Sequence, residues 1–76
     1  MKTMNKKTNR RLIGNALAVQ TTLNLSATPV VFENMTAARE TADKYDAAVM
    51  HGEFGAFWVV SKADAKKLMK AGFVKA

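Results

Sequence analysis

The chain has 76 residues and is 49% apolar, but thirteen of its apolar positions are alanine, which leaves few large side chains for a core. That fits one small domain and no more, since short chains bury a smaller share of their unfolded surface than long ones. There is no cysteine and one histidine, His51. Disulfides are therefore excluded, and so is any zinc site of the usual three or four nitrogen and sulfur ligands.

The net charge is +6, and it is unevenly placed. Residues 1–12 carry five cations (Lys2, Lys6, Lys7, Arg10 and Arg11) and no acid, whereas residues 33–53 are net negative. Residues 62–76 set Lys62, Lys66, Lys67, Lys70 and Lys75 against Asp64. Basic ends around an acidic middle make a polarised field of the kind that meets polyanions.

In chain order, residues 1–10 read as a flexible basic arm and residues 11–76 as a single domain. The uncharged stretch from Leu12 to Phe32 follows Arg10-Arg11 as an export signal would, but Asn15, Gln20, Thr21, Thr22, Asn24 and Thr28 interrupt it. A membrane span wants about 20 predominantly apolar residues. A cytoplasmic protein is expected.

Leu17, Val19, Thr21, Leu23 and Leu25 alternate with Ala18, Gln20, Thr22 and Asn24, the period of a half-buried strand. A helix over Arg10 to Thr22, using Leu12, Ile13, Ala16 and Leu17, competes with it but is weakened by Gly14 and the threonine pair. Ser26 to Pro29 is a break, and Val30-Val31-Phe32 a short strand.

Asn34 or Thr36 caps a helix reaching about Tyr45. Its outer face neutralises itself through the i,i+4 pairs Arg39/Asp43 and Glu40/Lys44. Ala47 to His51 and Ala56 to Val60 form a hairpin about Gly52-Glu53-Phe54-Gly55. Ser61 and Asp64 make a capping box for a last helix from Lys62 to Ala71, stopped by Gly72. The expected fold is α+β: an antiparallel sheet in the order β-β-α-β-β-α, with two helices on one face.

No arrangement supports catalysis. His51 is the one near-neutral base, with Asp46 and Glu53 close in sequence and Ser26 or Ser61 as hydroxyls, but no spacing matches a nucleophile motif. Gly52 and Gly55 lead into a strand and not a helix N-terminus, so they are turn residues and not a phosphate loop. No enzyme, metal or cofactor is expected.

The strand from Ala56 to Val60 is apolar on both sides, Phe57 and Val59 on one, Trp58 and Val60 on the other. Two helices cover one sheet face, so Phe57 or Trp58 marks either a buried second face or an interface, and a homodimer is one expectation.

Val31-Phe32-Glu33-Asn34-Met35 and Phe54-Gly55-Ala56-Phe57-Trp58-Val59 stand loosely as the two short stretches of the RNA-recognition motif do. The basic-plus-glycine opening of the second stretch is missing and the residue order is shifted. Only Phe73, Val74 and Lys75 remain for a strand after the last helix. No family follows from this.

Lys62, Lys66, Lys67 and Lys70 are like-charged neighbours on one helix, each such pair costing about 0.2 to 0.5 kcal/mol. The first helix avoids that cost, and the contrast favours a polyanion partner. The expected function is therefore a non-enzymatic nucleic-acid-binding protein that contacts phosphates through Lys6, Lys7, Arg10, Arg11, Lys62, Lys66, Lys67 and Lys70. The alternative is a small regulatory protein that docks onto a protein partner by a sheet face or edge, as phage-encoded inhibitors of similar size do; that is analogy.

Overall fold

The computed structural model describes residues 6–76, with side chains described from residue 14 onward. Its first element is a helix, α1 (Lys6–Leu23). The strand expected over Leu17 to Leu25 is thus replaced by the competing helical reading, and the boundary drawn at Arg10 falls inside a helix. The spacing that prevails is three to four. Ala16 is fully buried with Val19 and Leu23 packed beside it, while Leu17 is 51% exposed. Of the polar residues of the apparent alternation, Thr21 bonds inside the helix, its Oγ1 donating to the Leu17 carbonyl at 3.1 Å, and Gln20 Nε2 donates to the Leu25 carbonyl just beyond it at 3.1 Å. Asn24 closes α1 at φ 56°, and the Leu25 N–H donates to the Gln20 carbonyl at 2.9 Å. This is a Schellman ending, with Leu25 turned back into the core.

The remaining elements are β1 (Val30–Phe32), α2 (Met35–Tyr45), β2 (Ala48–His51), β3 (Phe57–Val60) and α3 (Lys62–Lys70). Asn34 caps α2, accepting the Ala37 N–H at 2.7 Å. Three strands, not four, make one antiparallel sheet in the order β1-β3-β2. Its register aligns Val31, Trp58 and Met50 across the sheet. The hairpin turns through Phe54 and Gly55, both at positive φ, with Ala56 N–H donating to the Glu53 carbonyl at 3.2 Å. That is the type I′ geometry which matches strand twist.

The chain after α3 pairs with the outer edge of β2. His51 N–H donates to the Val74 carbonyl at 2.8 Å and Ala76 N–H to the Val49 carbonyl at 2.9 Å, around a bridge between Met50 and Lys75. Thus β1-α2-β2 and β3-α3-Lys75 step across the sheet in the same direction, but β3 runs opposite to β1. Crossovers of one hand must then place α2 and α3 on opposite faces.

Trp58, Val60 and Met50 accordingly face α1 and α3, while Val59, Val49 and the half-buried Phe57 face α2. The expectation of two helices on one face, with the other bare, is corrected to α1 and α3 on one and α2 on the other. Trp58 is 1% exposed and lies against Phe73, ring centroids 5.3 Å apart. The chain itself covers this supposed interface residue, through the cluster that α1, α3 and Phe73 build on that face.

Candidate functional site

On α3 the buried positions are Asp64, Ala65 and Leu68, so the 100° step puts Lys62, Lys66, Lys67 and Lys70 on the outer surface, where all four are exposed. They do not act as one stripe. Lys67 Nζ donates to the Asn24 carbonyl at 2.8 Å, placing a cation on the C-terminal end of α1 where the helix dipole favours it. Lys62 Nζ pairs with Asp46 Oδ1 at 2.8 Å, although both side chains are well exposed and such pairs contribute little. Lys66 and Lys70 make no hydrogen bond or ion pair to another described residue. Replacing Lys67 by glutamine should therefore lower stability by about 0.5 kcal/mol, read as a shift in urea midpoint, whereas the same change at Lys70 should leave the midpoint where it is.

Lys66 leans over a cleft of about 340 Å³ at the β2 edge, between α2 and α3. The buried Ala42, Ala48, Val49 and Ala65, with the half-buried Ala47 and Ala76, make its floor, and the exposed Met69 stands beside them. Exposed charges make its rim: Arg39 from α2, Lys62 and Lys66 from α3, Lys75 from the segment paired to β2, and Asp43. The i,i+4 pairs expected on α2 do not close. Arg39 and Asp43 both line the cleft without an ion pair between them, and Lys44 Nζ lies 5.8 Å from the Tyr45 ring.

Arg39 and Lys75 are the site residues that sequence reasoning missed. Arg39 looked neutralised by its neighbour, and Lys75 reaches the cleft because residues 74–76 pair with β2. Lys6, Lys7, Arg10 and Arg11 lie in the first turns of α1, which carry no acid. Their side chains lie outside the described ones.

A second cleft, of about 400 Å³, opens beside β1 and the end of α2. Its charged groups are already engaged: Lys62 with Asp46, and Asp64 with Ser26. Asp64 is 2% exposed. Burial pushes its carboxyl up, but Ser26 N–H and Oγ, the Ala27 N–H and the charge of Lys67 together hold it below the ordinary carboxylate value. Only half of the expected capping box is made. Ser61 Oγ accepts the Asp64 N–H at 3.1 Å, but the Asp64 carboxylate turns away to Ser26, accepting from its N–H at 3.0 Å and its hydroxyl at 2.8 Å.

The groups weighed for catalysis lie apart. His51 is exposed at the end of β2 with its ring 5.5 Å from that of Phe57, and the hydroxyls of Ser26 and Ser61 each bond to a different group of Asp64. Among the described residues there is no group of three or more histidines and acids able to hold a metal ion, and no helix long and apolar enough to cross a membrane.

The chain matches no protein-family model, no curated protein and no solved structure.

Proposed function

We propose that the protein is a small non-enzymatic nucleic-acid-binding module whose cations, Arg39, Lys66, Lys70 and Lys75, contact phosphates, joined by the basic first turns of α1. One observation carries this reading: Arg39, Lys66 and Lys75 come from three separate parts of the chain to one cleft, and none has an ion-pair partner among the described residues. The rim sets Arg39, Lys62, Lys66 and Lys75 against the one carboxylate of Asp43, which leaves the cleft net positive and attractive to an anion. Lys62 and Lys67 are already engaged, with Asp46 and the Asn24 carbonyl, and contribute to the field rather than to direct contacts.

The salt dependence of binding tests the reading. Each phosphate neutralised contributes about −0.9 to the slope of log affinity against log salt on duplex, and about −0.7 on a single strand. Replacing Lys66 and Lys70 together by glutamine should flatten the slope by about two contacts' worth and leave sequence preference unchanged, because phosphate contacts do not read bases. A folded double variant with unchanged affinity and slope would make these lysines ordinary solvated surface.

A protein partner is the second reading, and β1 favours it. Both sheet faces carry helices and the β2 edge is paired to residues 74–76, but β1 has strand pairing on one side alone among the described residues. An added strand would dock there. In a pull-down, a single protein retained after nuclease treatment would favour this reading.

A further inference from the structure

The phosphate reading concerns charge, and the cleft has a second property that phosphate alone leaves unused. Below the charged rim its lining is apolar, mostly alanine, with the half-buried Ala47 and Ala76 and the exposed Met69 giving the accessible part, and its volume of about 340 Å³ is at the lower end for a small-molecule site. A phosphate held by the rim cations would leave Ala47, Ala76 and Met69 wet. A planar base with its sugar would cover them.

We propose that the cleft takes one nucleotide unit of a single-stranded nucleic acid: the base lies against the alanine floor, and its flanking phosphates meet Arg39, Lys66 and Lys75. The inference rests on the phosphate-binding reading and adds to it a preference for single strands. In a duplex the bases are stacked and paired, so entering an apolar recess requires unpairing, which an unpaired strand does not need.

Asp43 fits the same picture. On the rim a carboxylate repels any phosphate, so Asp43 adds nothing to phosphate binding. Beside a nucleoside it serves as an acceptor for an exocyclic amine or a sugar hydroxyl. Arg39, which shares the rim with it, supplies a planar cation suited to a phosphate or to the edge of the ring.

Filling the cleft without touching a charged side chain removes room for a base and keeps the phosphate contacts. Ala47→Leu and Ala76→Phe each add bulk at a half-buried position lining the cleft, and Trp58 emission together with near-ultraviolet circular dichroism reports whether each variant folds. The wild type should bind a mixed-sequence single strand about tenfold more tightly than the matching duplex, the scale of burying one apolar ring face.

Either folded variant should lose about that factor on the single strand and keep the salt slope. A 2-aminopurine in the strand should change its emission on binding the wild type and not on binding a filled variant. If the folded variants bind the single strand as tightly as the wild type does, or if the wild type prefers duplex, the base does not occupy the cleft, while phosphate binding through the rim stands. A wild-type chain that binds neither form overturns the phosphate reading, and this inference with it.

Discussion

Replacing Gly52 by alanine is expected to lower unfolding stability by about 2 to 3 kcal/mol, the upper part of the span of about 1 to 3 kcal/mol typical of overpacking a close-packed site. A Cβ at position 52 would fall within 2.5 Å of Cδ1 and Cε2 of Trp58. Something would have to move, and the indole has no free side. It is 1% exposed, packed against Phe73, and held in register between Val31 and Met50. The requirement for glycine here is space, not backbone conformation. Gly14 supplies the control, because a Cβ there meets nothing within 4 Å and the residue lies inside α1. Gly14→Ala should raise stability by about 0.5 to 1 kcal/mol through helix propensity. Urea titrations followed by Trp58 fluorescence measure both. A Gly52→Ala protein as stable as the wild type would mean that the indole is not pinned.

Much of the fold from Val30 onward was legible because local chemistry and tertiary packing agree there. Asn34 caps α2, Ser61 caps α3, Gly72 follows α3 at φ 103°, and the hairpin turns on Phe54-Gly55. The N-terminal third was not legible by the same means. Leucines at 17, 23 and 25 with Val19 satisfy a period of two, and the helical set Ala16, Val19 and Leu23 is inconspicuous because its most buried member is an alanine. The deciding signal was Asn24, whose left-handed conformation turns Leu25 back toward the sheet.

Once residues 17–23 are helical there is a third helix, and the second apolar face of the Ala56 to Val60 strand is covered from within the chain. The cleft was illegible for a different reason. Its cations are neighbours in space through the crossover of α3 and the pairing of Lys75 beside Met50, and neither leaves a trace in the spacing of charges along the chain.

Asp64 ties the loop that follows α1 to the first turn of α3, and its removal should be costly. Its carboxylate accepts the N–H and hydroxyl of Ser26, in the loop between α1 and β1, from a position in the first turn of α3. Hydrogen bonds to a charged group are worth about 1.5 to 3 kcal/mol, and breaking them also strands whatever part of the site stays dry. Asp64→Ala should therefore lose about 2 to 3 kcal/mol, and Asp64→Asn, which keeps the shape but only one acceptor oxygen, somewhat less.

The pH dependence follows from the lowered carboxyl value. The unfolded chain takes up the proton near the ordinary aspartate value of about 3.9, whereas the folded chain resists it to lower pH. The contribution of the charge is thus fully present above about pH 4 and is lost as pH falls from there through the folded value. The difference in urea midpoint between wild type and Asp64→Asn should be widest at neutral pH and narrow steadily below about pH 4. A gap of constant width down to about pH 2 would mean that the Ser26 contacts owe their strength to shape rather than to charge.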